Sequence, residues 1–478
     1  MNLSSFLHKE KIFKIVNICS KKIKQNSYVV GGYVRDILLG KLITEDIDII
    51  TIGEGRKLAI AVANAIYQYN KYYPKIIEFQ HYGTAMLKYH DKKIEFVGSR
   101  KELYTSVSRN PIIMFGSLKD DQKRRDFTVN SLAISLNDQN YGDLIDPFDG
   151  LSDLQKGILR TPLNSDITYS DDPLRMMRAI RFATQLHFCI EKKSFDAIKN
   201  NKKRISIVSS ERIIDEFNKI LLSDQPSIGL FLLYKSGLLS LLLPELVLLK
   251  GIDEKNQLKH KDNFYHTLQV IDNISKEHSP SLWLRWSALL HDIGKPFCKS
   301  FFPELGWTFH SHEFIGSKMI ENIFQRLKLP KGKIMNYIKK MVLNSYRTRS
   351  LIGDQIQDSS IRRLLFDMGS DLEDLIKLSI ADITTIHLDK MIYYKKNIFS
   401  LMDRMKHIEL KDRVMNWKSP ISGYDIMNTF HIKPCKEIGI IKNYIKEAIL
   451  EGRISNSFHE AYFLMLKEGK KLGFTKKI

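Results

Sequence analysis

The sequence lacks the features of a disulfide-stabilised or membrane-spanning protein. It has 4 cysteines, which lie far apart with no CxxC pair: Cys19, Cys189, Cys298 and Cys435. This scatter argues against a disulfide framework or a zinc knot and favours free thiols in a reducing cytosol. The N-terminal residues contain no continuous apolar segment typical of a secretory signal. The most apolar stretch, 237–249, is interrupted by Pro244 and Glu245 and is too short to span a bilayer. We therefore expect a soluble, cytoplasmic protein with no membrane association.

Acidic residues are also scarce relative to basic ones. The chain of 478 residues carries 74 Lys and Arg against 54 Asp and Glu, a formal net charge of +20. Such an excess favours a polyanionic partner, and nucleic acid is the simplest one. Nucleotide-composition bias would explain the same excess, because the chain is also rich in Ile, Asn and Tyr. The length predicts three or four domains, for which a hydrophobic content of 43% is sufficient.

The first candidate site lies in residues 28–51, YVVGGYVRDILLGKLITEDIDIIT. A buried strand that leads into Gly31 and Gly32 predicts a tight turn, in which backbone N–H groups can approach a ligand closely. A short helix over 34–39 follows, with Gly40 as its stop. Arg35, near the start of that helix, is placed to reach a triphosphate.

Two carboxylates follow the glycine turn. The alternation of residues 46–50, DIDII, predicts a half-buried strand with Asp46 and Asp48 on one face. Both can then hold one divalent cation, since two carboxylates with substrate phosphates are the usual ligands of Mg²⁺. Glu95, on a predicted strand, is a candidate third carboxylate or else a surface residue. A loop with scattered acids is the alternative for the DxD pair, but the nearby glycine turn and Arg35 favour a site.

The rest of this region predicts a small α+β catalytic unit. Helical spacing covers 57–69, and short strands are predicted at 84–87 and 93–97. Residues 101–122 are predicted to form a long polar connection. The sequence RRDFTVNSLAI follows, in which Arg124 and Arg125 can bind phosphates and Asp126 can accept a hydrogen bond from a ribose hydroxyl.

These motifs resemble the bacterial-type tRNA nucleotidyltransferase and poly(A) polymerase family. GGYVRD with EDIDI is similar to the family's first motif, RRDFTVNSLAI to the second, and DPFDGLSDLQKGILR to the third, a joint to the next domain. The resemblance implies that Asp46 and Asp48 bind metal and are catalytic. It assigns the nucleotide triphosphate and its ribose to Gly32, Arg35, Arg125 and Asp126.

A charged helix is predicted after this joint, and from about residue 165 onward every pattern is helical. The sequence SDDP at 170–173 predicts a helix start. Arg175, Arg178 and Arg181 follow at spacings of three, so they can share a helix face with Asp171 and Asp172. A solvated charged face is the alternative.

This helix resembles the family's base-reading motif, Glu-Asp-x-x-Arg, with Asp171 where the family usually has Glu. The resemblance implies that Asp172 and Arg175 contact the incoming base and that the nucleotide site extends to Arg178 and Arg181. Further along, SSERIIDEFNKIL resembles the fifth motif, which we interpret as scaffolding behind the site.

A second constellation of possible metal ligands lies between residues 250 and 390. Histidines and aspartates on successive helices suit a transition metal with open coordination positions: His266, His291, Asp292, His312 and Asp382. The set resembles the HD-domain phosphohydrolases. A further histidine of that family is replaced here by Asn344 and Ser345. A purely structural HD unit is therefore the alternative.

The resemblance covers about residues 25–390 and implies an α+β fold. A polymerase-beta-like mixed α/β nucleotidyltransferase head is followed by an all-α neck, an HD body and a tail, with expected bounds 1–145, 146–245, 246–390 and 391–478. We expect the basic helical tail, including Lys470, Lys471, Lys476 and Lys477, to bind tRNA phosphates. Trp417 and Tyr424 can stack on bases there or pack in a core.

The function implied by the resemblance is template-independent addition of CCA to tRNA 3′ ends from CTP and ATP. Two Mg²⁺ ions at the head are implied, a transition metal in the HD domain is a further expectation, and no obligate protein partner is expected. A poly(A) polymerase, or an enzyme that adds only CC or only A, fits the same motifs. An RNA-acting HD phosphohydrolase with a degenerate transferase half is a further alternative. A non-catalytic tRNA-binding protein would account for the charge but not for the DxD pair.

Overall fold

The computed structural model describes residues 1–41, 45–79, 83–105, 108–256, 258–278, 280–352, 356–412 and 419–474. The chain divides into two compact units, Met1–Leu242 and Leu243–Ile478. Among the described residues, no helix combines the length and apolar character needed to cross a bilayer. Trp417, Lys476 and Lys477, which we considered as RNA contacts, lie outside the described residues.

Unit 1 begins with a mixed sheet flanked by helices. Its strands are β1 Ser27–Val30, β2 Asp46–Thr51, β3 Ile76–Phe79, β4 Thr84–Tyr89, β5 Lys92–Gly98, β6 Arg100–Thr105, β7 Ser108–Phe115, β8 Ala133–Ser135, β9 Leu144–Ile145, β10 Ile158–Leu159 and β11 Cys189–Ile190. The main sheet has the order β3-β4-β5-β2-β1-β8-β9. Strands β2 and β5 run parallel, and the other neighbours in this sheet are antiparallel.

The helices of unit 1 lie on the sheet and beyond it. They are α1 Ser4–Leu7, α2 Lys11–Lys22, α3 Gly32–Leu38, α4 Gly55–Asn70, α5 Leu118–Lys123, α6 Gly150–Lys156, α7 Ser165–Asp171, α8 Leu174–Leu186, α9 Lys192–Asn201, α10 Ser210–Leu221, α11 Pro226–Ser236 and α12 Leu239–Leu242. Short 3₁₀ turns occupy Thr128–Asn130, Asp138–Asn140 and Lys202–Ile207. The predicted helices at 34–39 and 57–69 correspond to α3 and α4, so those predictions are confirmed.

Strand β2 carries the predicted alternation. Ile47 and Ile49 are fully buried on one face, whereas Asp46 and Asp48 lie on the other. The turn before α3 depends on Gly31, whose φ of 76° is in the left-handed region that favours glycine. The strand therefore presents both carboxylates on the face to which the glycine turn leads.

The prediction of a long polar connection over residues 101–122 was wrong. Strands β6 and β7 form an antiparallel hairpin of their own, and α5 follows it. The sequence does not reveal the hairpin because its two strands carry many polar residues and because β7 contains Pro111, and proline is rare inside strands.

The predicted helix start at SDDP also needs correction. Asp171 is the last residue of α7, and Asp172 has extended backbone angles between α7 and α8. Arg175 and Arg178 belong to α8. Asp171 and Arg175 are thus on different helices. The prediction that the helical pattern continues without strands after residue 165 was wrong as well, since β11 pairs in parallel with β10.

Unit 2 is mainly helical. Its helices are α13 Pro244–Val247, α14 Asn263–Ser275, α15 Leu282–Leu290, α16 His312–Leu327, α17 Lys333–Asn344, α18 Arg347–Ser350, α19 Asp358–Met368, α20 Leu372–Ala381, α21 Leu388–Asp412, α22 Gly423–Phe430, α23 Lys436–Leu450 and α24 Phe458–Lys471. Short 3₁₀ turns span Lys295–Phe297 and Gly369–Asp371. The prediction of a wholly helical pattern does not include two small hairpins in this unit. They pair β12 Glu254–Lys255 with β13 Leu258–Lys259 and β14 Ser300–Phe302 with β15 Gly306–Thr308.

The described residues of unit 2 include two hydrophobic cores. The larger core is built from α14, α15, α17, α19 and α20 and includes Ile398, Leu401, Met405 and Ile408 of α21. A separate core joins α22, α23 and α24 around Ile426, Ile445 and Met465. The expected boundary between body and tail at 390/391 lies within α21, whose later residues pack into the larger core. The four-domain division stays a prediction.

Candidate active site and a second charged cluster

The glycine turn lies directly against two other predicted site residues. A Cβ atom on Gly31 would lie 3.0 Å from Asp48 Oδ2 and 3.1 Å from Arg125 Nη1. Only glycine leaves room for this approach, since backbone strain and both contacts oppose a side chain. The turn, the DxD strand and the RRD segment therefore meet at one point of unit 1.

The carboxylates on the sheet are fixed by strand register. Asp48 on β2 is opposite Glu95 on the parallel strand β5. Burial raises the pKa of Asp48, an effect that Arg125 opposes and Asp46 reinforces. Desolvation and the nearby Asp48 likewise raise the pKa of Glu95. These raised pKa values indicate carboxylates that lack sufficient positive charge around them, a donor set suited to a hard divalent cation.

Arg125 is held at the turn by a buried acid, Asp121. The Arg125 Nε donates to Asp121 Oδ2 at 3.1 Å, and its Nη1 donates to the Asn130 carbonyl oxygen at 3.3 Å. Arg124 Nε donates to Asp121 Oδ1 at 2.9 Å. The Asp121 side chain is 0% exposed. One carboxylate therefore orients both arginines of the RRD segment.

Arg35 lies inside the protein, 8% exposed. Its Nε and Nη2 donate to the two carboxylate oxygens of Asp36 at 2.8 and 3.0 Å, and its Nη1 donates to Asn130 Oδ1 at 2.9 Å. Gly32, the first residue of α3, would place a Cβ 3.5 Å from Arg35 Nη2. Arg35 thus holds α3 from inside the protein, whereas Arg125 lies directly beside the glycine turn.

Asp126 extends the same network towards α8. Its Oδ1 accepts from Asn130 Nδ2 at 3.0 Å and from the Phe127 backbone at 2.9 Å, while its Oδ2 accepts from Arg178 Nε at 2.8 Å. Burial acts to raise the pKa of Asp126, but Arg178 and Asn130 outweigh it and lower that pKa to about 2. A continuous chain of charge-assisted hydrogen bonds therefore joins α3 to α8 through Asn130 and Asp126.

The predicted base-reading residues lie at the start of α8. Asp172 Oδ1 accepts from the Leu174 backbone N–H at 3.3 Å, and Arg175 Nη2 donates to the Arg124 carbonyl oxygen at 2.6 Å. The arginine of α8 is thus tied to the backbone of the RRD segment. Asp172 lies just before α8 and Arg175 in its first turn, so the pair stays close together although only Arg175 is helical.

Arg181 lies deeper in the neck. Its Nε donates to Glu216 Oε2 at 2.5 Å and its Nη1 donates to Gln185 Oε1 at 2.9 Å. The Arg181 guanidinium carbon lies 3.9 Å from the centroid of the Phe182 ring, near which Arg35 and Arg178 also lie, at 5.1 and 5.3 Å. The contact with Glu216 agrees with a scaffolding role for the fifth motif. The nucleotide contact predicted for Arg181 stays a prediction.

In unit 2 the structure brings most of the HD constellation together. Ligand atoms of His266, His291 and Asp382 all lie within 4.8 Å of one another. Asp292 Oδ2 is 3.5 Å from His266 Nε2 and 3.3 Å from His291 Nε2. The Nε2 atom of His291 is buried and has no hydrogen-bond partner within the described parts of the chain. Two imidazoles and two carboxylates thus converge as a transition-metal site requires.

Hydrogen bonds behind the ligands fix the ring orientations. His291 Nδ1 contacts the Ala288 carbonyl oxygen at 2.8 Å, and His266 Nδ1 lies 2.9 Å from both Lys261 Nζ and Thr384 Oγ1. In each ring, Nε2 is therefore the atom turned towards the carboxylates. At His291, an Nδ1–H that donates to a carbonyl oxygen is typical of ligating histidines, whereas Nδ1 of His266 accepts from Lys261. Burial lowers the pKa of His266; at His291 burial acts in the same direction, but Asp292 and Asp382 outweigh it and raise the pKa to about 10.

His312, also predicted as a ligand, lies at the edge of this cluster. Its Nε2 is 3.5 Å from Asp292 Oδ1, and its Nδ1 is 2.8 Å from the Phe309 carbonyl oxygen. The cluster opens into a cavity of about 480 Å³ that is also lined by Lys295, Ser345 and Arg349. Asn344, at the place of the missing histidine, is turned to the Lys340 carbonyl oxygen and to Arg347.

Several residues of these sites could not be recognised from the sequence. Asp121 precedes the RRD segment by one turn of α5, so a helical spacing of i, i+3 and i+4 is the signal that would have found it. Lys261 and Thr384 are separated by most of the HD region and carry no such signal.

The basic end of α24 is only partly available to a polyanion. Lys471 Nζ is 2.8 Å from Glu468 Oε2, and that pairing occupies one of the four lysines considered for RNA binding.

Comparisons with known proteins agree with this arrangement. Residues 27–160 match the domain described as "Poly A polymerase head domain", residues 187–249 the one described as "Probable RNA and SrmB- binding site of polymerase A", and residues 263–391 the "HD domain".

Individual relatives extend these matches along the chain. The A-adding tRNA nucleotidyltransferase of Deinococcus radiodurans is 29% identical over 71% of this chain and 76% of its own length. The multifunctional CCA protein of Pseudomonas fluorescens is 30% identical over 64% of this chain and 71% of its own length.

The fold has a counterpart among solved structures. The Bacillus stearothermophilus CCA-adding enzyme in complex with CTP superposes with a TM-score of 0.65, covers 96% of this chain and 97% of its own, and is 21% identical. This similarity confirms the predicted fold class. The Pseudomonas relative and the matched domains show that the chain belongs to the bacterial-type tRNA nucleotidyltransferase and poly(A) polymerase family, with an HD domain.

Proposed function

We propose that this protein adds CCA to the 3′ ends of tRNA from CTP and ATP without a nucleic-acid template. The observation that carries the proposal is the meeting of Gly31, Asp48 and Arg125, since it joins a triphosphate turn, a metal carboxylate and a phosphate-binding arginine. The names of two relatives, an A-adding tRNA nucleotidyltransferase and a multifunctional CCA protein, support tRNA as the substrate.

Nucleotidyltransferases of this family typically use divalent metals. The residues here fit such ions, because the pKa values of Asp48 and Glu95 are raised by burial and by neighbouring acids. Asp46 and Asp48 would hold two Mg²⁺, with Glu95 as a further carboxylate beside Asp48. When bound, the ions would lower the pKa of the RNA 3′-hydroxyl and neutralise the leaving pyrophosphate.

The protein's own side chains would bind and orient the nucleotide. The N–H groups of the turn at Gly31 and Gly32 suit the triphosphate, and the Arg125 guanidinium lies at the same turn. Arg35, which is buried, would act on the nucleotide indirectly, by fixing the position of α3. Asp126 already accepts three hydrogen bonds, so a ribose hydroxyl would have to share its oxygens with Asn130, Phe127 and Arg178.

Base selection would fall to Asp172 and Arg175. Cytosine and adenine both present an exocyclic amine donor beside a ring-nitrogen acceptor, which a carboxylate and a guanidinium match. Uracil and guanine present a carbonyl beside a ring N–H, so they would oppose acceptor to acceptor and donor to donor. Such bidentate contacts discriminate by about 1–3 kcal/mol. The short link from Arg175 to the Arg124 carbonyl would keep the base-reading group in register with Arg125.

The decisive experiment supplies purified protein with tRNA that lacks CCA, together with each radiolabelled nucleotide alone and with CTP and ATP combined. Sequencing of the 3′ ends should then show C, CC and finally CCA, with no addition from UTP or GTP. Addition of A to tRNA ending in CC, with none to shorter ends, would instead identify an A-adding enzyme. Long adenosine tails would identify a poly(A) polymerase.

A second activity is favoured by the cluster in unit 2. His266, His291, Asp292 and Asp382 would hold a transition metal, and Lys295 and Arg349 line the adjoining cavity, where a phosphate would find positive charge. We propose metal-dependent phosphoester hydrolysis as the chemistry of this cavity. Two assays with Mn²⁺, Ni²⁺ or Co²⁺ test this activity: release of phosphate from RNA ending in a 3′-monophosphate, and opening of a 2′,3′-cyclic phosphate by water to a 2′- or 3′-monophosphate that stays on the RNA. No turnover with any of these metals would leave the HD unit a structural body.

A further inference from the structure

We infer that Asp121 is a positioning residue for the nucleotide triphosphate, acting through Arg125. It holds the guanidinium at the glycine turn and thereby increases the affinity for CTP and ATP. The inference deepens the proposed function and rests on it for the identity of the nucleotide.

The Asp121 carboxylate cannot touch the nucleotide itself. Its side chain is 0% exposed, and its two oxygens are directed at Arg124 Nε, at 2.9 Å, and Arg125 Nε, at 3.1 Å. Asp121 lies in the first turn of α5, whose start is fixed by a capping box between Ser117 and Asp120. The acid is thus held on a capped helix and any effect it has on a ligand must pass through the arginines.

The direction of the Arg125 guanidinium follows from this anchor. Because Nε points to Asp121, the opposite end of the group points to the turn, where Nη1 lies 3.1 Å from the position of a Gly31 Cβ. A second bond, from Nη1 to the Asn130 carbonyl oxygen at 3.3 Å, limits rotation further. A guanidinium fixed in this way loses less conformational freedom when it binds phosphate.

The balance of charge supports the same role. One buried carboxylate faces two guanidiniums, so Asp121 neutralises only part of the positive charge of Arg124 and Arg125. Asp121 also acts with burial and Asp46 to raise the pKa of Asp48. A negative charge this close to the metal carboxylate would repel phosphate if it had no other effect. We therefore assign Asp121 to holding the two arginines.

A double-mutant cycle separates this role from simple stabilisation of α5. Dissociation constants of CTP with Mg²⁺ are measured by calorimetry for wild type, Asp121→Ala, Arg125→Ala and the double variant. The KM for CTP is measured on tRNA lacking CCA. Asp121→Ala should weaken CTP binding about tenfold, the range of one charge-assisted hydrogen bond. The double variant should bind no more weakly than Arg125→Ala within a factor of about two.

Asp153→Ala is the matched control. Asp153 is also a buried acid in unit 1, bonded to Thr128 Oγ1 at 2.7 Å and 3.3 Å from Arg160 Nε, but it is not at the turn. The Asp153→Ala variant should have a lower melting temperature than wild type and an unchanged dissociation constant for CTP. If Asp121→Ala does not fold, the isosteric Asp121→Asn replaces it in the cycle.

Unchanged CTP affinity in a folded Asp121 variant, or independent multiplication of the two effects in the double variant, would overturn the inference. If wild type binds CTP but adds nothing to tRNA, the proposed function fails while the binding constants still decide the role of Asp121.

Discussion

Two clusters of buried acids in this protein are neutralised in different ways. In unit 1, Asp126 faces Arg178 and Asp121 faces Arg124 and Arg125. In unit 2, Asp292 and Asp382 face the imidazoles of His266 and His291, and Lys295 also contacts Asp292. In both clusters these partners hold the pKa values of Asp126, Asp292 and Asp382 below the usual range, against the effect of burial.

The partners decide what each cluster can bind. A guanidinium stays charged and offers no lone pair, so Arg124, Arg125 and Arg178 cannot join their partner acids as ligands of a metal ion. The acids that we propose for a cation are Asp46, Asp48 and Glu95, and burial raises the pKa values of Asp48 and Glu95. An imidazole can lose its proton and become a ligand, so the acids beside histidine can join it on a metal. Unit 1 thus suits a hard cation on oxygen, and unit 2 suits a transition metal on nitrogen and oxygen.

The largest effect should come from Asp48→Asn. Loss of a metal carboxylate removes several kcal/mol of transition-state stabilisation, so CMP addition to tRNA should fall by at least about a hundredfold. Binding of tRNA in a filter assay should persist. Asp138→Asn, an exposed acid paired with Lys21, serves as the control and should retain full activity. Residual addition above a tenth of wild type would remove Asp48 from the metal site.

Arg178→Ala tests whether Asp126 is a structural acid. The variant removes the charged partner of a buried carboxylate that keeps its hydrogen bonds from Asn130 and Phe127, which should lower the free energy of unfolding by about 3 kcal/mol at pH 7. Because the folded pKa of Asp126 is lowered to about 2, its contribution is present above its unfolded value and is lost as pH falls towards 2. The gap between variant and wild type in urea titrations should therefore narrow on acidification, and Asp126→Asn in the same background should recover stability. A gap that stays constant between neutral and acidic pH would contradict this assignment.

Asp172→Ala examines an acid of unit 1 that we place neither on a metal nor in the structural network. It should relax the preference for CTP and ATP over UTP and GTP by about tenfold, the value of one bidentate base contact. Single-nucleotide incorporation with all four triphosphates gives the ratios. Asp171→Ala is a useful comparison, since Asp171 lies on α7 and not on α8. Wild-type ratios in Asp172→Ala would mean that the base is read elsewhere.

His291→Ala should have the smallest effect on nucleotide addition, leaving it within about twofold of wild type, because we propose separate metal ions for the two clusters. The same variant should lose the transition metal, measured by elemental analysis after dialysis against Mn²⁺ or Ni²⁺. Asp48→Asn provides the reciprocal control and should keep that metal. Equal metal content in wild type and His291→Ala would contradict the assignment of a transition metal to the cluster in unit 2.

The sequence was sufficient for the parts of the fold that rest on local pattern. Strand β2 with Asp46 and Asp48 on one face, helices α3 and α4, and the stop at Gly40 follow from alternation, helical spacing and glycine placement. The hairpin β6–β7 did not, since strand formation in polar segments depends on pairing between strands rather than on periodicity. The break at Asp172 was also missed, because acids and Pro173 suit either a helix start or a junction between two helices.

Contacts between distant residues were beyond reach for a different reason. Asp121 and Gly31 approach the same guanidinium from different elements, and Asn130 links Arg35 to Asp126. Such contacts depend on how elements pack, and no spacing in the chain records them. Family resemblance supplied the functional roles of the motifs, but the role of Asn130 and Asp121 in joining them became visible only in the structure.

The register between β2 and β5 has a consequence for how this site can vary among related chains. Main-chain hydrogen bonds set Asp48 opposite Glu95, while α4, β3 and β4 form the segment that connects their strands. Insertions in that segment would leave the two carboxylates side by side, whereas a slip of one residue in β5 would turn Glu95 to the other face. The number of residues between the DxD pair and Glu95 can therefore differ among related chains. A sequence search that fixes this spacing would overlook true relatives.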